Sequence, residues 1–242
     1  MTQSGRNFAL EELLACAISR LIGEASHVAV GAASPIPATA CFLLKAQGRQ
    51  LRVSILQKRK GNPFTEGSRE LFDLAGQGRI DVFFLGGAQI DGAANINLVK
   101  AEGRRFPGSF GSAYMYGAAR STILFREEHS RRVLVPRVEF ISAAGDPAAL
   151  LTGKALFSWQ REKRRWLLES FHDSNPGEIR ESTGFDYDVS PAVGETAPPS
   201  PEDISLLRGP VAGQIAAEYP EFAKRVWGKS GGRLPGAPAL LP

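Results

Sequence analysis

Three glycine-rich loops are the parts of this sequence whose residue types and spacing could support chemistry. Glycine lets a backbone approach a ligand with no Cβ in the way, and consecutive free N–H groups can bind an anion or stabilise a developing oxyanion. Turn geometry is the more common explanation for any one such loop, but three together favour a ligand site. The loops are residues 31–37, 86–97 and 106–112, and their candidate substrate-binding residues are Gly31, Ser34, Gly86, Gly87, Gln89, Asn95, Asn97, Gly108, Ser109 and Gly111.

The second loop carries three amide side chains whose role the sequence leaves open. Gln89 could hold a substrate carbonyl or carboxylate, or it could bond to the backbone of its own loop. Asn95 and Asn97 could orient a reacting segment, or they could form Asx turns. All three therefore remain candidates for ligand binding.

Metal and disulfide chemistry is not indicated. Cys16 and Cys41 lie among apolar residues without a CxxC partner, which predicts two small core residues. The histidines lie far apart in the sequence and show no metal-ligand spacing, so no metal site is predicted; they are His27, His129 and His172.

Hydrophobic periodicity predicts the elements that must position these loops. Apolar spacing predicts helices over 8–22, 38–46, 68–75 and 112–119, and strands over 28–30, 51–55, 82–85, 96–99, 122–125 and 133–141. Pro136, inside the last of these strands, indicates a strand break or an edge position. Strands that alternate with helices predict an α/β fold with an open, mostly parallel sheet and helices on both faces. Ligands of such sheets bind beyond the carboxyl ends of the strands, which is where the loops fall.

The C-terminal third has a different pattern. Residues 155–159 and 165–171 flank a charged turn, as in an antiparallel hairpin. One short helix is predicted to start at Ser174, and another begins at Ser200 with a proline in its first turn. The prediction is one domain over residues 1–227, ending in a hairpin and helical arm, followed by a flexible Gly/Pro-rich tail over 228–242.

Composition excludes several classes of protein. The chain has 242 residues, a net charge of +4 and 43% hydrophobic residues, which is typical of a globular protein. It has no apolar run near the roughly 20 residues of a membrane span, and its first helix is too charged for a signal peptide. The cations are scattered and no nucleic-acid-binding motif is present. We therefore expect a cytoplasmic protein that binds neither membrane nor nucleic acid.

Several segments, in order, resemble one known family. Residues 85–91 read LGGAQID and, with residues 95–97, are similar to a GGAQID..GN.N segment. Residues 105–111 (RFPGSFG) resemble an RF.GSGG loop, and residues 182–189 (STGFDYDV) resemble NTGFDLDVS. Residues 128–141 resemble, more weakly, a segment of the same family that reads HEKRRF...IDYVTSPG. The chain thus resembles the β subunits of family I CoA-transferases, of the glutaconate CoA-transferase type.

The resemblance implies a NagB/RpiA-like α/β fold and a related α-type partner subunit, in a heterodimer or an α2β2 complex. It also implies acyl-CoA thioesters as substrates and no permanently bound cofactor. In that family a β-subunit glutamate after the second strand attacks the thioester and forms a glutamyl-CoA intermediate, while backbone amides stabilise the oxyanion. The basic residues 58–60 could attract the CoA phosphates or form a solvated loop.

The sequence departs from the family at that glutamate. Leu56, give or take one position, occupies the place of the nucleophile, and no Asp or Glu occurs between Glu24 and Glu66. A leucine cannot attack a thioester. The alternatives are hydrolase- or lyase-type CoA chemistry with an acid or base from the α partner, or a catalytically inert paralogue that serves as a structural or CoA-binding subunit.

Overall fold

The computed structural model describes residues 6–31, 33–56, 64, 66–106, 108 and 111–228. Its helices are α1 (Leu10–Ile22), α2 (Pro35–Ala46), α3 (Ser68–Gly76), α4 (Ser112–Ala118), α5 (Pro176–Ser182), α6 (Pro201–Leu206), α7 (Ala212–Glu218) and α8 (Pro220–Trp227), with a kinked π-helical turn, Leu207–Val211, between α6 and α7. Its strands are β1 (His27–Val30), β2 (Arg52–Ile55), β3 (Val82–Leu85), β4 (Gln89–Asp91), β5 (Ile96–Asn97), β6 (Lys100–Ala101), β7 (Arg104–Arg105), β8 (Ser121–Arg126), β9 (Leu134–Val135), β10 (Ala149–Thr152), β11 (Ala155–Gln160), β12 (Arg165–Phe171) and β13 (Asp188–Glu195).

The chain divides into two compact units. Unit 1 comprises Met1–Asn62 and Ala197–Pro242, and unit 2 comprises Pro63–Thr196. The single domain expected over residues 1–227 stays a prediction. The predicted tail lies outside the described residues beyond Gly228.

Unit 1 contains two parallel strands and the helices that accompany them. β1 and β2 pair with Val30 opposite Ile55, and all four residues of β1 are buried. α1 confirms the amphipathic helix predicted at the start of the chain, and it packs against α2. Cys16 and Cys41 are both buried on these two helices, as predicted for core residues.

Prolines set the start of several helices. α2 begins at Pro35 rather than at Ala38, because a proline in the first turn loses no hydrogen bond and already has a helical φ. α5 begins at Pro176 after an Asn175 cap, two residues beyond the predicted start at Ser174. α6 begins as predicted, with Ser200 accepting a hydrogen bond from the backbone N–H of residue 203.

A buried carboxylate ties α1 to the C-terminal helices of unit 1. Glu12 is 1% exposed. Its Oε1 accepts hydrogen bonds from Arg208 Nε at 2.8 Å and Trp227 Nε1 at 3.0 Å. Its Oε2 accepts from Arg208 Nη2 at 2.9 Å and from the backbone N–H of Ala9 at 2.8 Å. Burial alone would raise the pKa of Glu12, but these hydrogen bonds outweigh it and hold the pKa below its ordinary value.

Six strands of unit 2 lie in the order β13-β12-β11-β10-β8-β3. β3, β8 and β10 are parallel neighbours, β10, β11 and β12 pair antiparallel, and β13 is parallel to β12. This arrangement confirms the predicted α/β fold with a mostly parallel sheet, and it confirms the C-terminal hairpin as β11 and β12. β10 and β13 were not predicted from the sequence.

A smaller sheet in the order β5-β4-β9 also belongs to unit 2. β4 pairs antiparallel with β5 and parallel with β9. The strand predicted over 133–141 ends at Val135. The break comes at Pro136, as the proline inside the run indicates, because proline has no N–H for a strand ladder. The strand predicted over 96–99 is limited to Ile96–Asn97.

No helix in the described part of the chain is long and apolar enough to cross a membrane.

Candidate functional site

The turn after β3 is closely packed. A Cβ on Gly87 would lie 2.6 Å from the carbonyl oxygen of Gln89, and a Cβ on Gly86 would lie 3.1 Å from the carbonyl oxygen of Phe125. Gly87 is therefore required by packing within the chain itself, whereas a side chain at position 86 would need the backbone at Phe125 to shift by a few tenths of an ångström. The turn follows a strand whose four residues are all buried, so its backbone has a fixed position at the carboxyl end of β3.

Gln89 and Asn97 face each other across the β4–β5 pair. Asn97 Nδ2 donates to Gln89 Oε1 at 2.8 Å and to the carbonyl oxygen of Lys100. Asn97 Oδ1 accepts from the backbone N–H groups of Val99 and Lys100. Gln89 Nε2 donates to Glu139 Oε1 at 2.9 Å. Both amides are buried and bonded to protein atoms at each end.

Asp91 organises the turn between these strands. Its Oδ1 accepts from the backbone N–H groups of Ala93 and Asn95, and its Oδ2 accepts from Asn95 Nδ2 and the backbone N–H of Val138. Ala94, inside the turn, has a φ of +60°. The Asx-type turn here is formed by Asp91, and Asn95 supports it as a donor. Asn97, whose Oδ1 accepts from the N–H of Val99 two residues on, forms an Asx-type turn of its own, one of the two roles the sequence left open.

Glu139 links the hairpin to the segment after β9. Its carboxylate accepts from Gln89 Nε2 and from the backbone N–H of Glu102 at 3.0 Å, while its own N–H donates to Gln89 Oε1 at 3.2 Å. The backbone hydrogen bond, followed by the one from Gln89, lowers the pKa of Glu139. The sequence singled out neither Glu139 nor Asp91 for these roles.

The loop before α4 is described only in part. A Cβ on Gly111 would collide with the ring of Phe72, and Gly108 has a φ of +107°, so both positions favour glycine. The candidate Ser109 lies outside the described residues. So does the basic run 58–60.

The remaining candidates lie in unit 1. Gly31 follows β1, and a Cβ there would make only an ordinary contact, 3.7 Å from Ser34 Oγ. Ser34 precedes α2, and its carbonyl oxygen accepts from the N–H of Ala38. Leu56 directly follows β2, and its N–H donates to the carbonyl oxygen of Val30 at 3.0 Å. An apolar side chain thus stands at the carboxyl end of β2.

The histidines of unit 2 bond to threonines. His129 Nδ1 lies 2.7 Å from Thr152 Oγ1, and its Nε2 lies 3.0 Å from Thr183 Oγ1. Burial, then the charges of Lys154 and His172, lower the pKa of His129 to about 4. Among the described residues no group of three His, Cys, Asp or Glu side chains could hold a metal ion.

Comparison with known proteins gives related sequences and a related fold. The sequence model named Coenzyme A transferase matches residues 41–156. The B subunits of two CoA-transferases are also similar to this chain. That of glutaconate CoA-transferase from Acidaminococcus fermentans is 29% identical over 167 residues, which is 59% of this chain and 62% of that protein. That of 3-oxoadipate CoA-transferase from Pseudomonas knackmussii is 28% identical over 165 residues, 58% of this chain and 62% of that protein.

The matched stretch thus spans less than two thirds of each of these relatives. The crystal structure of the decarboxylase AibA/AibB superposes with a TM-score of 0.75 at 24% identity, covering 84% of this chain and 94% of that one. The likeness to that structure establishes the fold.

Proposed function

We propose that the chain is a member of the coenzyme A transferase family, a β-type subunit that acts on acyl-CoA thioesters in a complex with an α-type subunit. The observation that carries the proposal is the family match over residues 41–156, a stretch that includes the β3 turn, the β4–β5 hairpin and the loop before α4. Two of the matched relatives are themselves B subunits of CoA-transferases, which supports the β-type assignment.

Backbone groups of the glycine loops are the proposed ligand-binding elements in each unit. In unit 2 these are Gly86, Gly87, Gly108 and Gly111, to which we add Ser109, and in unit 1 they are Gly31 and Ser34. Backbone N–H groups in such turns are suited to an oxyanion because they cost no reorganisation during the reaction. CoA is a substrate in this proposal, and no permanently bound cofactor is required.

Gln89, Asn95 and Asn97 are proposed to serve the site by holding its backbone in place. Their side chains bond to Glu139, Asp91 and neighbouring backbone atoms. Such fixed supports keep a reacting segment within the narrow geometry that catalysis requires.

Transfer through a glutamyl-CoA intermediate on this chain is not part of the proposal. Leu56 follows β2, where the resemblance expects the nucleophile, and its side chain has no atom that can attack a carbonyl. The acid or base for hydrolase- or lyase-type chemistry then comes from the α-type subunit. A catalytically inert subunit is the alternative.

The test is co-expression of the chain with an α-type subunit, purification of the complex and assay of acyl-CoA turnover. We expect a stable complex that consumes an acyl-CoA, and Leu56→Ala is expected to retain this activity because the side chain takes no chemical part. A complex that binds acyl-CoA without turnover supports the inert alternative. Absence of both complex formation and acyl-CoA binding contradicts the proposal.

A further inference from the structure

Phe140 and Ile141 form an exposed apolar pair on unit 2, and each side chain is 50% exposed. The residues on both sides of the pair accept hydrogen bonds, through their side chains, from backbone N–H groups in or just before the β6–β7 hairpin. On one side, Glu139 accepts from the N–H of Glu102 at 3.0 Å. On the other, Ser142 Oγ accepts from the N–H of Leu98 at 2.7 Å.

Further bonds hold the same segment. The N–H of Ser142 donates to the carbonyl oxygen of Ile96 at 2.9 Å, and Glu139 also bonds to the buried amide of Gln89. An apolar pair held in this way is already ordered, so a partner that covers it would lose little affinity to chain ordering. An exposed apolar pair on an ordered backbone can form the apolar centre of an interaction surface.

Four cations belong to the segments that adjoin the pair. Lys100, Arg104 and Arg105 belong to the β6–β7 hairpin, whose tip is bonded to Glu139, and Arg137 lies three residues before Phe140; all four are exposed. None of the four has a carboxylate within 4.0 Å in the part of the chain that the structure describes. The nearby carboxylates are otherwise engaged, because Glu102 faces Arg132 at 3.9 Å and Glu139 accepts backbone and amide hydrogens.

This combination restricts what can cover the surface. The four cations outnumber the carboxylates Glu102 and Glu139 of the same segments, so a second copy that docked with the same face would meet a net like charge, which disfavours association. A small anion could neutralise the cations but would leave the apolar pair in water. The surface is suited to a protein whose own patch has an apolar centre and a rim of carboxylates, because interfaces commonly combine an apolar centre with a polar rim.

We propose that this cationic-apolar face, defined by Lys100, Arg104, Arg105, Arg137, Phe140 and Ile141, is the docking surface for the α-type subunit. The inference rests on the proposed function, which supplies the partner. It also predicts a property of that partner, namely an acidic rim around an apolar patch.

The experiment measures the dissociation constant between the full chain and a purified α-type subunit. The apolar test variant combines Phe140→Ser with Ile141→Ser, and the charge test variant combines Arg104→Glu with Arg105→Glu. The matched controls are Val189→Ser, at a side chain 45% exposed on β13, and Arg161→Glu, at a side chain 77% exposed. Circular dichroism and thermal melting establish that each variant is folded.

We expect both test variants to weaken binding at least tenfold, on the order of a central interface residue, and both controls to bind within about twofold of the wild type. The affinity of the wild type should fall with salt, and that of the charge variant should fall less.

Test variants that bind like the wild type overturn the docking face and leave the proposed function intact. A wild-type chain that binds no α-type subunit contradicts the proposed function itself. A wild-type chain that forms homodimers, lost in the apolar variant, assigns the face to a second copy and overturns the proposal.

Discussion

Glycine at position 87 is required by the chain's own backbone. Its missing Cβ would lie 2.6 Å from the carbonyl oxygen of Gln89, closer than side-chain atoms can approach. The amide of Gln89 is bonded to Asn97 and Glu139, so the neighbouring backbone has little room to move. A side chain at position 87 would therefore displace the backbone of Gln89, whose side-chain hydrogen bonds hold the turn in place.

Gly87→Ala is expected to destabilise the protein by roughly 2 kcal/mol, because the added methyl forces the β3 turn apart. Gly117→Ala is the matched control. Gly117 lies within α4 with nothing within 4 Å of an added Cβ, and alanine there should stabilise the protein by about 0.5–1 kcal/mol. Urea unfolding of both variants measures the difference. Equal stability of Gly87→Ala and wild type would contradict the packing account.

His129 predicts a pH dependence of stability. Its pKa is lowered from 6.5 to about 4 in the folded chain, so between these values the unfolded chain binds more protons than the folded one. The free energy of unfolding should therefore fall as pH falls from 6.5 to 4, by roughly 3 kcal/mol at most from this group.

Urea unfolding at pH values of about 5 and 7 provides the measurement. In His129→Gln, which keeps polar atoms but does not titrate, the difference in stability between the two pH values should become smaller. An unchanged difference would show that His129 is not buried in its neutral form.

Residue roles could be predicted from sequence where the signal was local. Both cysteines are in the core, and Asn97 forms an Asx-type turn with the N–H of Val99, because these outcomes depend on neighbouring residue types. The role of Glu139 could not be predicted, since it bonds to Gln89 fifty residues earlier. A carboxylate with such a distant partner has no local pattern.

At the scale of elements, the C-terminal helices of unit 1 depend on one side chain of α1. Glu12→Ala is expected to cost about 3 kcal/mol, because Trp227 Nε1 and Arg208 Nε lose their acceptor in a buried setting. Glu24→Ala is the control, since that side chain is 99% exposed and should change stability by less than about 0.5 kcal/mol.

Hydrogen exchange provides a second measurement for Glu12→Ala. Protection should fall most in α7 and α8, because these helices lose a connection to α1. A uniform loss across both units, or none, would contradict the role assigned to Glu12.

Strong periodicity predicted elements well, and weak periodicity did not. α1 and β3 have clear apolar patterns and were predicted at nearly their observed bounds. β10 reads Ala-Leu-Leu-Thr, a sequence whose alanine and leucines also suit a helix. β13 contains Pro191 and has no buried residue, so it lacks the alternation of a half-buried strand.

At the scale of the whole molecule, the family fold could be predicted because its motifs occur in order along the chain. The placement of the motifs follows from the sheet: the Gly86–Gly87 turn lies after β3 and the amides lie on the adjoining hairpin. The sequence does not predict the network of hydrogen bonds made by the side chains of Gln89, Asn95 and Asn97. Those bonds favour backbone atoms over side chains as the ligand-binding groups.

The central proposal is that the chain acts in an acyl-CoA-processing complex and contributes no glutamyl nucleophile. Its most direct test is mass spectrometry of this chain, taken from a complex with an α-type subunit during acyl-CoA turnover and trapped with borohydride or hydroxylamine. The account predicts turnover in the sample and no modified glutamate on this chain, in the wild type and in Leu56→Ala alike. A trapped glutamyl adduct on this chain, at Glu66, Glu70 or any other position, would contradict it.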